Sequence, residues 1–371
     1  MIYLDYNATT PIDKAVADAM TPFINGNFGN PSSTHEYGIA AKQAIEHART
    51  QVAALLNCSA DEIIFTSSGT ESNNTVIKGT AFTYRNKGNH IITSQIEHPA
   101  VINPCRYLEK IGYEISYLPV DEFGLVNPAD VEKAITGKTI LISVMHSNNE
   151  TGTLQPIKEI SKISKKHNIL FHTDASQSVG KIPVDVKNLG VDFLTLAGHK
   201  LYAPKGVGAL YIKKGIRIEP LLHGAGHENG RRAGTENTIF DVALGKACEI
   251  SLEAVRNNHT KQMTDYFYNT LKDHYGDRLH LNGHPIERLP NTMNVSFIGY
   301  NGHEILNKLD GIAASTGSAC HSGSTSVSPV LKVMGVTDDV GRGAVRFSLG
   351  RYTTKDEIDN VIENIKAEVP K

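Results

Sequence analysis

Cysteine is scarce in this chain, and so is net charge. Four cysteines, Cys58, Cys105, Cys248 and Cys320, stand in 371 residues, too few for a disulfide scaffold. No two of them form a CxxC pair, so no structural zinc site is expected. The formal net charge is -2, and no basic excess marks a nucleic-acid or acidic-membrane binder. No apolar run is long enough to span a bilayer. Met1-Ile2-Tyr3-Leu4-Asp5 lacks the basic and apolar regions of a secretory signal, which makes the cytosol the expected compartment. Internal repeats and low-complexity segments are also missing.

What remains is an ordinary globular composition, 40% hydrophobic and 20% charged, long enough for two domains. Short apolar runs alternate with helical patterns. Glu62–Thr66, His90–Thr93, Thr139–Val144, Ile169–Thr173, 191–196 and 207–212 read as strands. His35–Leu56, Pro99–Lys110, Pro128–Ile135 and Pro156–His167 read as helices. Strands apolar on both faces and separated by helices predict a mostly parallel, doubly covered sheet. The glycine-rich stretch 224–234 interrupts the pattern. A long helical stretch then runs from Glu236 to about Tyr275, with a domain boundary near its middle. Strands at Thr292–Phe297 and Ala344–Leu349 and helices at Gly302–Leu309 and Lys355–Glu368 predict a smaller α+β part.

Chemistry-bearing residues cluster at the ends of the predicted strands. Lys200 follows Phe193–Leu196 at the turn Gly198-His199-Lys200. A lysine delivered there loses hydration, and the loss lowers its pKa and frees its amine for Schiff-base chemistry. Asp174 ends another run, where a carboxylate can pair with the protonated ring nitrogen of pyridoxal phosphate. Gly69-Thr70 follows a strand and opens a helix, a place for a phosphate; the competing reading is a capping box with Thr70 as N-cap. His98 either stacks on an aromatic cofactor and moves protons or is a surface histidine at a helix start. Asn149 lies in a strand-end segment that faces the ligand crevice or is simply an Asx-rich turn. His223 and His227 have no acidic or thiolate partners nearby, so a flexible loop near a phosphate is expected over a metal site. Cys320 lies among Gly and Ser at 314–324, where exposure favours reactivity, and His321 is placed to assist its deprotonation. The other cysteines are expected to be inert packing residues.

The order and spacing of these motifs resemble the cysteine desulfurases of the aspartate-aminotransferase-fold, fold type I, pyridoxal-phosphate family. The resembling segments are Leu4–Pro11, Gly29–Ser33, Gly69–Ser72, Glu97-His98, Asn148–Glu150, Asp174–Gln177, Gly198–Lys200, Gly234-Thr235, Ser318–Cys320 and Ser348–Arg351. The likeness covers essentially the whole chain and is to the group with a long cysteine loop. It implies an α/β fold: a large domain, 13–255, with a mostly parallel sheet, and a smaller α+β domain of 1–12 and 256–371 that carries the cysteine loop. It implies conversion of L-cysteine to L-alanine, with the sulfur held on Cys320 as a persulfide for an acceptor. Iron–sulfur assembly, tRNA thiolation and DNA phosphorothioation all draw on such enzymes.

Roles follow residue by residue from the same likeness. Lys200 holds the cofactor aldehyde and carries the α-proton. Asp174 pairs with the ring nitrogen, Gln177 bonds the ring oxygen, and His98 stacks and shuttles protons. Gly69, Thr70 and His199 hold the phosphate, and Thr235 reaches the phosphate of the other subunit of a homodimer. Asn149, Asn30 and Arg351 bind substrate, with Arg351 forked onto the α-carboxylate. One departure is Ala197, where many relatives have a serine that bonds the phosphate; the missing hydroxyl is worth roughly 1–2 kcal/mol if nothing replaces it. Cys320-His321-Ser322 and Arg232–Thr238 also resemble selenocysteine lyases, so release of selenium from selenocysteine is the alternative activity. A non-catalytic sulfur-transfer scaffold and an aminotransferase of the same fold are the remaining readings.

Overall fold

The strands, in chain order, are β1 (Ile2–Tyr3), β2 (Ile63–Thr66), β3 (His90–Ser94), β4 (Glu114–Leu118), β5 (Thr139–Ser143), β6 (Leu170–Asp174), β7 (Phe193–Ala197), β8 (Gly208–Ile212), β9 (Leu279–Leu281), β10 (Thr292–Phe297), β11 (Ile312–Ala313) and β12 (Ala344–Ser348). The computed structural model describes residues 1–257, 259–316 and 327–371. Seven of the strands form one sheet in the order β2-β8-β7-β6-β5-β3-β4. Neighbours from β7 to β4 are parallel, whereas β8 runs antiparallel to both β7 and β2.

Successive residues of these strands enter different cores, because strand side chains alternate between faces. Ile63, Phe65, Ile92 and Ile142 pack with Ile45 and Val52 of the helix Glu36–Leu56 and with Ile160 of the helix Ile157–Lys166. Ile64, Ile91 and Leu141 pack on the opposite face with Val76 and Ile77 of the helix Gly69–Tyr84 and Val101 and Leu108 of the helix Pro99–Glu109. Both faces are covered, as the apolar runs predicted.

The C-terminal part has its own sheet, β12-β10-β9, antiparallel throughout. Phe267, Val295, Phe347, Ile358 and Ile362 form its core, and Leu4 from the start of the chain packs among them. β1 pairs in parallel with β11. Two-residue strands show no periodicity, so this pair was invisible in the sequence. The long helical stretch after Glu236 resolves into two helices, Thr238–Ala254 and His259–Tyr275.

The glycine-rich segment differs from the flexible loop expected. Arg49 Nη1 and Nη2 donate to Glu228 at 2.6 and 2.9 Å. Both side chains are buried, and Glu228 also accepts from the Phe65 backbone at 3.2 Å. A buried pair with its remaining bonds satisfied holds its segment in one place. Arg232 Nε adds a bond to Glu71 at 2.9 Å, which ties the end of the segment to the first turn of helix Gly69–Tyr84.

Helices Glu36–Leu56 and Thr238–Ala254 cross closely because Gly245 lacks a side chain. A Cβ there would stand 2.6 Å from both Cα and Cβ of Ala48. Gly245→Val should therefore cost about 1–3 kcal/mol through overpacking. The check is the midpoint of urea unfolding, and an unchanged midpoint would contradict this packing.

Candidate active site

The carboxyl ends of the parallel strands deliver the polar residues to one edge of the sheet, the ligand side of open α/β folds. β7 ends at Ala197 and passes directly into Gly198-His199-Lys200. β6 ends at Asp174, β3 leads to Glu97-His98, β5 leads to 146–150, and β2 leads into the helix that starts at Gly69.

Lys200 Nζ donates to the backbone carbonyls of Asn7 and Ala8, both at 2.7 Å. Burial lowers its pKa to about 8, with Arg346 adding to the depression and Asp5 and Asp174 opposing it. Asp174 is 7% exposed. Its carboxylate accepts from Asn73 Nδ2 at 2.7 Å and from the Ser176 backbone at 2.9 Å. Gln177 Nε2 donates to the Asn7 carbonyl at 2.9 Å. His98 caps helix Pro99–Glu109 by accepting from the Ala100 backbone at 3.1 Å. His98 is exposed, as a surface histidine at a helix start would be, yet desolvation by the surrounding protein lowers its pKa, with Asp174 opposing and Lys200 reinforcing the shift. His199 lies 3.2 Å from the Thr9 hydroxyl, and burial together with the charges of Lys200 and Lys205 depresses it to about 4. A neutral imidazole is thus available as a hydrogen-bond donor.

Gly69 begins its helix and Thr70 follows it. The N-cap is Ser68, whose hydroxyl accepts from the Glu71 backbone at 3.2 Å. The alternative in which Thr70 caps the helix is therefore set aside, and the Thr70 hydroxyl is left for other use. Thr70 and His98 share a cleft of about 350 Å³ with Asn74, Lys78 and Tyr107. Thr235 is elsewhere, exposed on the rim of a cavity of about 190 Å³ beside Ser67, Arg232 and Asp241. Asn149 uses its carbonyl to accept from Arg346 Nη1 at 3.0 Å and Asn7 Nδ2 at 3.3 Å. Asn30 is exposed, with its carboxamide turned onto the Ser32 backbone at 2.9 Å. Arg351 stacks its guanidinium 3.9 Å from the centre of the Tyr202 ring and stands 3.8 Å from Asp13.

Three residues of this site escaped the sequence reading. Arg346 on β12 donates to Asp5 at 2.6 Å, and its Nε is buried with no partner among the described residues. Asn7 supplies its carbonyl to Lys200 and Gln177 and its side-chain oxygen to Lys181 and Asn291. Lys181 donates at 2.8 Å to Asn7 and to Gln177 Oε1. Burial, Lys200 and Arg346 together push its pKa well down. Only the nearby matches to family motifs, Leu4–Pro11 and Ser348–Arg351, pointed toward this part of the site.

Cys320 and His321 lie outside the described residues. Of the other cysteines, Cys105 and Cys248 are buried and Cys58 is partly so. Burial raises all three thiols, Cys58 and Cys105 to about 12, which leaves little thiolate at neutral pH. Among the described residues no group of three or more His, Cys, Asp or Glu could hold a metal ion. No helix among them is long and apolar enough to cross a membrane.

The residues fit pyridoxal phosphate by several observations. Lys200 is an amine of lowered pKa, and Asp174 is a buried carboxylate at the same edge. The Asn73 side-chain oxygen beside Asp174 is buried and has no partner among the described residues. The helix start at Gly69 adds backbone N–H groups with no carbonyl partner of their own.

Comparison with known proteins agrees with this geometry. The model of the aminotransferase class-V family matches residues 2–361, and the chain belongs to that family, whose members are pyridoxal-phosphate enzymes. It is 50% identical over all of its length, and over 95% of the relative's, to the cysteine desulfurase IscS of Dictyoglomus turgidum. It is 38% identical to a solved NifS-like protein, with a TM-score of 0.92 over 99% of this chain and 98% of the other. A solved SspA in complex with cysteine is also 38% identical, with a TM-score of 0.86 over 95% and 100% of the two chains.

The depressed Lys200 has a measurable signature. In the cofactor-free protein its reaction with an amine reagent should titrate with a midpoint near 8 rather than 10.5. Arg346→Met, which removes a neighbouring positive charge, should raise that midpoint. Because the unfolded chain binds the extra proton between about 8 and 10.5, this group's contribution to stability rises with pH across that window. Peptide-resolved mass spectrometry of the modification is the check, and an ordinary lysine midpoint at Lys200 would contradict the burial argument.

Proposed function

We propose that the chain is a pyridoxal-phosphate-dependent cysteine desulfurase that converts L-cysteine to L-alanine and passes the sulfur to an acceptor protein. The observation that carries this reading is the Lys200 amine, buried, lowered in pKa and directed to the same sheet edge as Asp174 and His98. Likeness to relatives named for this activity, and to a solved structure holding cysteine, supports the substrate class over selenocysteine.

Lys200 would hold the cofactor covalently, Asp174 would pair with its ring nitrogen, Gln177 would bond its ring oxygen, and Gly69, Thr70 and His199 would hold its phosphate. When bound, the cofactor supplies an electron sink for the substrate's α-carbon. Lys200, with a pKa of about 8, both takes and returns a proton near neutral pH. His98 stands at the mouth of the cleft for the second proton site. Cys320 Sγ takes the substrate sulfur: a sulfur–sulfur bond forms, the substrate's carbon–sulfur bond breaks with its electrons on carbon, and that carbon takes a proton to complete alanine. Cys58, Cys105 and Cys248, with raised thiol pKa values, take no part.

Arg351 would fork onto the substrate carboxylate: its guanidinium is stacked on the Tyr202 ring, and its terminal nitrogens make only long contacts, to Ser251 at 3.5 Å and Asp13 at 3.8 Å. Arg346 is held instead by the Asn149 backbone carbonyl at 3.0 Å and by Asp5 at 2.6 Å, and would serve as a fixed positive charge beside Lys200. Asn149 would bind substrate through the amide side chain that no described residue engages, and exposed Asn30 would join it from outside. Thr235 would reach the partner's phosphate across a homodimer interface, which its place on an exposed rim allows. We also assign 13–255 to a large domain and 1–12 with 256–371 to a small one, in keeping with Leu4 packing in the C-terminal core.

Lys200→Ala should abolish alanine formation and the visible absorbance of bound cofactor; a dialysis-stable band in that variant would remove Lys200 from its role. Arg351→Lys should lower kcat/KM for cysteine roughly ten- to a hundredfold, the loss of one charge-assisted fork. A loss of less than about threefold in steady-state kinetics would remove the carboxylate from Arg351.

A further inference from the structure

The surroundings of Gly69 single out one hydroxyl. A Cβ on Gly69 would meet Ser176 Oγ at 3.0 Å, Ala197 Cβ at 3.3 Å and Thr195 Cγ2 at 3.5 Å. These three side chains therefore sit side by side beneath the first residue of helix Gly69–Tyr84. Thr195 turns its methyl toward the glycine because its hydroxyl is engaged 3.1 Å from His172 Nε2. Ala197, at the end of β7, has no polar atom to offer. Ser176 alone of the three can donate a hydrogen bond there. Among the described residues its hydroxyl has no partner, although its backbone N–H is committed to Asp174 at 2.9 Å.

We infer that the Ser176 hydroxyl donates to the phosphate bound at the start of this helix and thereby takes the place of a hydroxyl at position 197. The inference rests on the pyridoxal-phosphate reading above. A dianion at a helix N-terminus attracts every donor within reach, and a hydroxyl on a charged acceptor is stronger than one between neutral groups. Asp174 holds the Ser176 backbone, so the donor is fixed by the residue that would grip the far side of the cofactor ring. Ring and phosphate recognition would then share the turn Asp174-Ala175-Ser176-Gln177.

Equilibrium titration of the cofactor-free full chain tests this, with pyridoxal phosphate and with pyridoxal, which lacks the phosphate, both followed by visible absorbance. Ser176→Ala should raise the Kd for pyridoxal phosphate roughly ten- to a hundredfold and leave that for pyridoxal unchanged. Ser176→Ala with Ala197→Ser should recover most of the loss, because the hydroxyl returns from the neighbouring strand. Unchanged affinity for pyridoxal phosphate in Ser176→Ala would overturn the inference. So would an equal loss for both ligands, which would place Ser176 at the ring or in folding. Failure of the second substitution to recover affinity would likewise count against a shared phosphate contact. If the wild-type chain takes up neither aldehyde, the functional reading itself falls, an outcome distinct from loss in the variant alone.

Discussion

A primary amine buried in a protein must either lose its proton or find acceptors, and the arrangement around Lys200 does some of both. Two backbone carbonyls, of Asn7 and Ala8, receive its protons at 2.7 Å, while burial brings its pKa down to about 8. Those carbonyls belong to the start of the chain, whereas Lys200 belongs to the large sheet. The site therefore requires the N-terminal segment to be held across the sheet edge. Asn7 does this through bonds to Thr292 at 2.8 Å, Asn291 at 3.0 Å and Lys181 at 2.8 Å, and its backbone N–H donates to Ser348 at 2.9 Å. Three of these four partners come from the C-terminal part, so the placement of the Lys200 amine depends on both parts of the fold.

The same neighbourhood is rich in positive groups. Arg346 lowers the pKa of Lys200, and Lys200 and Arg346 both lower that of Lys181. Only Asp5 and Asp174 among the described carboxylates raise the pKa of Lys200. Such a site favours anions, and both a phosphate and an amino-acid carboxylate are anions. Lys181 adds a geometric effect. By donating to Gln177 Oε1 it orients the amide so that one Nε2 N–H goes to the Asn7 carbonyl and the second is left to donate. Lys200 is lowered enough to act as a base yet remains near the pH at which it can be recharged.

Much of this was legible in the sequence because strand ends are legible. Apolar runs located six of the seven strands of the large sheet to within a residue or two, β4 being the exception, and the polar residues after them followed. Lys200, Asp174 and His98 stand at such strand ends, and family likeness added Gln177. Arg346 was not found. It stands in Ala344-Val345-Arg346-Phe347-Ser348, where alternation reads as a polar residue facing water, yet it is 2% exposed. Lys181 and Asn7 were missed for a similar reason, since their meaning comes from each other. The order of the glycine-rich segment was hidden as well, because Glu228 pairs with Arg49 from far away in the chain. Thr70 could be read as a cap because Ser68 and Thr70 are both good N-caps, and only the backbone path decided between them.

On the proposed reading, sulfur leaves cysteine at the Lys200 edge and is captured by one thiol. The direct measurement is peptide mass spectrometry after a single turnover with one equivalent of L-cysteine, with alanine quantified in parallel. One alanine per site and one additional sulfur on the peptide containing Cys320 is the predicted result. Stoichiometric alanine with the sulfur on Cys58, Cys105 or Cys248, or with no protein-bound sulfur, would contradict it.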